Sequence, residues 1–203
     1  MPSDSVSSSP LPKGFLPPNP NQWANERRGL ALREELDLGL DCILEPELAF
    51  ETLRRTYVYA HGALVAAGAA IDFISHFRGA GLRSWSGAAF PTPDGAYCVL
   101  YNDAHPRTRI RATLMEEFFH LRLGHPATEV RFLNGEPSRR TFQAGIEAEA
   151  YGSGAAALVP YKTLKELHHA GKDENGIGAA FGVSPALARF RLNVTRLNRK
   201  PKA

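Results

Sequence analysis

The chain has 203 residues, 24 Lys and Arg against 21 Asp and Glu, a formal net charge of +3 at pH 7, and a composition that is 43% apolar and 22% charged. That length suits one domain with a small appendage and is ample for a real core. No apolar run approaches the roughly 20 residues that a membrane span needs, and the Ser- and Pro-rich start lacks the basic and apolar segments of a secretory signal. The two cysteines, Cys42 and Cys98, lie far apart and read as reduced core residues, so the expected location is the cytoplasm. The basic residues cluster at Arg54-Arg55, Arg107/Arg109/Arg111, Arg139-Arg140 and from Arg189 to Lys202. Solvated faces and a basic tail account for them more simply than a nucleic-acid surface.

Residues 1–20 are rich in Ser, Pro and Asn and read as a disordered arm. Ala24 to Leu38 has the pattern of an amphipathic helix, with Trp23, Leu30, Leu32 and Leu36 as candidates for its buried side. Pro46 opens a second short helix, Glu47 to Arg54, at the position where proline is tolerated. Thr56-Tyr-Val-Tyr-Ala60 is rich in β-formers and predicts a strand. Ala63 to Arg78 reads as a helix; His61 and His76 lie in this region, and neither is assigned a role. Arg83 to Phe90, the Pro-Thr-Pro-Asp-Gly95 turn and Ala96 to Tyr101 predict a hairpin.

A helix follows from Arg109 and is closed by Gly124 and Pro126. Thr128 to Gln143 is polar and reads as a loop. Ala144 to Val159 is a strong helix pattern stopped by Pro160, and Leu164 to Ala170 continues helically. The last section has helix-turn-helix form, with Gly182 as the turn, Ser184 as N-cap and Pro185 as first helical residue. The expected organisation is therefore a disordered arm over 1–20, one domain over 21–170, a helix-turn-helix-like segment over 171–197 and a basic tail over 198–203.

The chemistry concentrates on Arg109 to His125. At about 100° per residue, Glu116, Glu117, His120 and Gly124 share one quadrant of this helix, while Ile110, Leu114, Phe118 and Leu121 form an adjoining apolar stripe. The run Glu116-Glu117-Phe-Phe-His120 differs by one residue from H-E-x-x-H, in which two histidines one turn apart bind Zn²⁺ and the glutamate between them is the general base. His120 offers a nitrogen and Glu116 an oxygen on the same side, and a catalytic site needs a third protein ligand. Glu147 is the candidate, because small residues beside it (Ala150, Gly154) allow two helices to approach closely. Glu149 points about 200° away around the helix and reads as solvated. Glu117 is then the general base. Tyr151, His125 and His105 are the candidates for a second oxyanion donor, and Tyr151 is taken with Glu117 as the catalytic pair.

The order Trp85-Ser-Gly87, strand, Tyr101-Asn102, arginine ladder, E-E-F-F-H-L-R-L-G-H, then Glu147-Ala-Glu-Ala-Tyr-Gly-Ser-Gly and on to Pro160, then Phe181-Gly-Val-Ser184 resembles the ImmA/IrrE family of metallo-endopeptidases over about residues 23–197. The resemblance implies a cytosolic, gluzincin-like Zn protease of α+β, zincin-like fold, a small twisted sheet packed with helices with the C-terminal segment docked on it. By position it implies Glu117 as the base, and His120 and Glu147 as metal ligands. It also implies narrow specificity, with a helix-turn-helix transcriptional repressor of a mobile element or stress regulon as substrate. The departure is Glu116, where the family pattern has histidine. Two carboxylates and one imidazole leave a Zn²⁺ site formally neutral, a poorer Lewis acid than a site with two imidazoles. Oxygen-rich ligation also moves preference from Zn²⁺ toward Mn²⁺ or Fe²⁺.

Three readings compete with an active peptidase. A pseudo-protease would bind a regulator protein without cutting it. A DNA-binding regulator would present Arg189, Arg191 and Arg196. A structural reading pairs Glu116 with Arg107, Arg109 or Arg111 and takes E-x-x-H as an accident of helical spacing.

Overall fold

The structure is a computed structural model that describes residues 14–65, 75, 78–79, 81, 85–126, 131–133, 136–138 and 144–198. It is an α+β protein whose chain divides into two compact units, Met1–Leu44 with Ala155–Ala203, and Glu45–Gly154. Among the described residues no helix is long and apolar enough to cross a membrane. The expected helix over Ala63 to Arg78 falls largely outside the described residues.

The Glu45–Gly154 unit begins with helix α1, Pro46–Glu51, whose proline occupies the first turn. Strand β1, Thr56–Ala60, runs parallel to β3, Tyr97–Tyr101, and β2, Gly87–Pro91, pairs antiparallel with β3 on its other side. The order β1-β3-β2 places Val58, Val99 and Ala89 in one row, and Val99 is fully buried. Alternation turns the neighbouring Tyr57 and Tyr59 outward, where both are exposed.

Helix α2, Arg107–Arg122, lays Ile110, Leu114, Met115, Phe118 and Phe119 into the core, and Phe118 meets Phe50 edge to face at 5.6 Å between ring centroids. Gly87 is required where β2 passes this helix, because a Cβ there would lie 2.6 Å from Thr113 Cγ2. The arginines at the helix start hold carboxylates of another element: Arg107 binds Glu45 and Glu47, and Arg111 binds Glu45. Residues 128–143, expected as a loop, contain a short antiparallel pair, β4 Arg131–Leu133 and β5 Glu136–Ser138. Helix α3, Ala144–Leu158, follows, and its residues up to Gly154 belong to this unit.

The other unit is helical. Helix α4 is Trp23–Glu35, α5 Tyr161–His169, α6 Glu174–Phe181 and α7 Pro185–Val194. Of the four apolar residues expected on the buried side of α4 only Leu32 is buried; Asn25, Glu26, Gly29 and Arg33 share that side, whereas Trp23 is 40% exposed and donates its indole N–H to Pro17 O. The reason lies in the end of α3, whose last carbonyls lack helical partners. Arg33 donates to Ala157 O and Leu158 O, and Arg191 donates to Val159 O. Glu26 accepts from the Tyr161 amide and pairs with Arg191 at 2.6 Å, both side chains being fully buried. Burial pushes the Arg33 guanidinium down to about 10.

Asp173 caps α6 through the Gly176 amide, Gly182 adopts left-handed backbone at φ 62°, and Ser184 caps α7 through the Leu187 amide. Phe181, Val183, Leu187 and Leu192 are buried, as is Arg191, which is therefore not available to read a base as the DNA-binding alternative needs. Both cysteines are free, but Cys42 is exposed and Cys98 half-buried, so neither is the core residue expected.

Two outcomes test this packing. Glu26→Leu or Arg191→Met alone should each cost about 3–5 kcal/mol in denaturant titrations, since either strands a buried charge, while the double variant should cost clearly less. Gly29→Ala should lower the melting temperature even though alanine is worth about 1 kcal/mol more than glycine in a helix interior, because the added Cβ would lie 2.6 Å from Ala157 N and 2.8 Å from Ala156 C.

Candidate metal centre

Helix α2 is held on its apolar side, which leaves Glu116, Glu117 and His120 half-buried on its next face. Helix α3 crosses close by: a Cβ on Gly154 would meet Met115 C and O at 3.0 Å, so only glycine fits without displacement. Ala150 is fully buried beside it. The small residues at 150 and 154 thus do what their spacing suggests.

At this separation Glu116, His120 and Glu147 come together, one potential ligand atom from each lying within 4.8 Å of the others. His120 Nε2 is 3.3 Å from Glu147 Oε2. Burial raises the Glu116 carboxyl to about 7, and the charges of Glu117 and Glu147 add to the rise. Burial lowers His120, and His125 acts in the same direction, against the attraction of Glu147. The donor set therefore fits a divalent cation: it offers two carboxylates and an imidazole, and burial first, with the charges of Glu117 and Glu147 second, holds Glu116 toward its neutral form.

Glu117 lies past the start of β2, its Cγ being 3.9 Å from where a Gly87 Cβ would stand. Tyr151 is half-buried, and burial and then the Glu116 charge raise its phenol, which places the ring near Glu116. The other two candidates for an oxyanion donor have ring nitrogens engaged elsewhere. His105 Nε2 meets Trp85 O at 3.1 Å, and His125 Nδ1 meets His120 Nδ1 at 3.1 Å.

Glu149 is not the solvated residue expected. Its Oε2 is 3.2 Å from His125 Nε2. The missed signal lies at the end of α2. The His125 amide donates to His120 O and the Gly124 amide to Leu121 O, with Gly124 at φ 65°. This is the Schellman arrangement, and it folds residue 125 back over residue 120. A glycine just past the helix followed by histidine is the readable clue.

The sequence profile of the peptidase M78 family, described as the IrrE N-terminal-like domain, matches residues 75–193, more than half of the chain. No curated protein matches the chain significantly. The matched span includes α2 and α3, the two helices that supply every residue of the acidic centre. By its sequence profile, with the α+β fold in agreement, this chain belongs to the peptidase M78 family of IrrE N-terminal-like metallopeptidases.

Proposed function

We propose that the chain is a metal-dependent endopeptidase in which Glu116, His120 and Glu147 hold one divalent cation. The observation that carries this reading is the convergence of those three side chains within 4.8 Å in a member of a peptidase family. A cation held there would supply Lewis acidity toward a peptide carbonyl and the attacking water. Glu117 takes the proton of that water as its oxygen bonds to the carbonyl carbon, and delivers it to the departing nitrogen as the C–N bond breaks. The Tyr151 hydroxyl donates a hydrogen bond to the oxyanion that develops.

The expected cation is Zn²⁺, and the oxygen-rich ligand set also suits Mn²⁺ or Fe²⁺. The substrate is a protein, and the resemblance to the ImmA/IrrE family makes it a helix-turn-helix transcriptional repressor, cut at few sites. A second reading is supported by Glu116 alone: a site with one imidazole fewer is a weaker Lewis acid, and a protein that binds its regulator without cutting it would need no more.

Elemental analysis of natively purified protein should give about one transition metal per chain, as a site with three protein ligands requires. Glu147→Ala should abolish that content, and metal-free wild type after reconstitution would refute the reading. Glu117→Gln should keep the metal and slow peptide hydrolysis by about 10²- to 10⁴-fold, the worth of a positioned base. If Glu117→Gln leaves the cellular function of the protein intact, the non-cutting reading replaces the peptidase. Glu116→His should tighten zinc binding and raise the hydrolysis rate.

A further inference from the structure

The peptidase mechanism leaves two side chains beside the centre without a role. His125 is nearly buried, its side chain only 8% exposed, and both its ring nitrogens have partners within hydrogen-bond distance: Nε2 with Glu149 Oε2 at 3.2 Å, and Nδ1 with His120 Nδ1 at 3.1 Å. The two imidazoles stand nearly perpendicular, with centroids 5.1 Å apart. The far side of His120, its Nε2, faces Glu147.

Counting donors leaves two orders for this series of hydrogen bonds, and a bound cation selects one of them. A carboxylate only accepts, so Glu149 calls for a proton on His125 Nε2. A neutral imidazole carries one N–H, so His125 Nδ1 is then an acceptor and the proton in the short nitrogen–nitrogen contact belongs to His120 Nδ1. His120 is left with a bare lone pair on Nε2, aimed at the space shared with Glu116 and Glu147. Each assignment leaves one lone pair facing a carboxylate, His120 Nε2 facing Glu147 in this one and His125 Nε2 facing Glu149 in the opposite one; a cation between His120 Nε2 and Glu147 selects the first, because a ligating nitrogen needs its lone pair.

We infer that Glu149 and His125 are positioning residues: they form a relay that fixes the ring and tautomer of His120, so that Nε2 is presented as a metal ligand. This rests on the metal-site reading given above, since the relay has its use only if a cation is bound. Its parts come from two helices and a turn. Gly124 supplies the left-handed turn that carries His125 over His120, and α3 supplies Glu149 two residues after the ligand Glu147. An outer partner of this kind orients the ring and raises the basicity of the ligating nitrogen.

The test uses the full chain with Zn²⁺ and Mn²⁺ as probes, and histidine ¹⁵N labelling. Zinc dissociation constants from chelator competition should rise by about 10- to 100-fold in His125→Phe and in Glu149→Leu, the usual effect of losing an outer partner. Glu149→Gln keeps an acceptor for His125 Nε2–H and should stay within about tenfold of wild type on the same scale. Spectra of the zinc-loaded wild type should show His120 ligating through Nε2 with its proton on Nδ1. Equal zinc affinity in His125→Phe and Glu149→Leu, or ligation of His120 through Nδ1, overturns the relay. If the wild type takes up neither Zn²⁺ nor Mn²⁺, the metal-site reading fails. The relay is then decided on metal-free wild type, where a neutral His125 with its proton on Nε2 supports it and a proton on His125 Nδ1 overturns it. That last readout needs no variant, so misfolding of a substituted protein does not blunt it.

Discussion

The spacing between two helices governs this protein's chemistry, and one glycine sets it. Gly154 lies against the backbone of Met115, where a Cβ would stand 3.0 Å from its carbonyl group and push the two helices apart. Met115 precedes Glu116 in the chain, and Gly154 lies two turns beyond Glu147 on its own helix. Helix packing at the usual 8–10 Å between axes depends on the side chains at the contact. With a glycine at the crossing, short side chains from the two helices meet around one point. A larger residue would leave the same carboxylates and imidazole in the sequence but move the two helices apart. The chemistry is thus a property of the separation as much as of the ligating groups.

That convergence has an electrostatic cost. The arginines at the start of α2 are turned to other work: Arg107 and Arg111 hold Glu45 and Glu47 on a different face, and Arg109 donates to Ser86 Oγ. None of these bonds reaches Glu116, which the structural reading would pair with one of the three arginines. Burial, and then the charges of Glu117 and Glu147, raise Glu116 to about 7, so the acidic cluster is unbalanced by itself. The imbalance favours a cation, and in the proposed site the acid in place of an imidazole at position 116 would limit how strongly that cation acts as a Lewis acid.

Much of this is legible in the sequence because local rules carry it. The strand at Thr56–Ala60, the hairpin about Asp94-Gly95, the apolar stripe of Ile110, Leu114 and Phe118, and the caps at Ser184 and Gly182 all follow from propensity, periodicity and turn chemistry over short spans. The convergence of residues 116, 120 and 147 is legible for a different reason, since a family pattern holds the distant pieces in order. What fails is whatever depends on a partner far along the chain. Helix α4 is expected to bury Trp23 and Leu36, but its inward face is polar because the end of α3 needs donors there, which no window around Arg33 reveals. Glu149 reads as solvated from its angle around its own helix, yet its partner stands on another element, in a turn that the Gly124-His125 pair announces. Angular position predicts which way a side chain points. It does not say what waits there.

The guanidinium groups that close the end of α3 bear on how the polypeptide can be divided. Arg33 precedes the carbonyls it serves by more than a hundred positions, and Arg191 follows them. Glu26 ties the two by holding Arg191 and the first amide of α5. Trimming the protein at Gly182, where a boundary looks natural to the eye, would strip one donor from Val159 and abandon an acid in an apolar interior. The terminal helix pair, despite a shape that suggests an independent reader of DNA, is thus a keystone of the scaffold and not a transferable module. Fusions and domain exchanges should respect it as such.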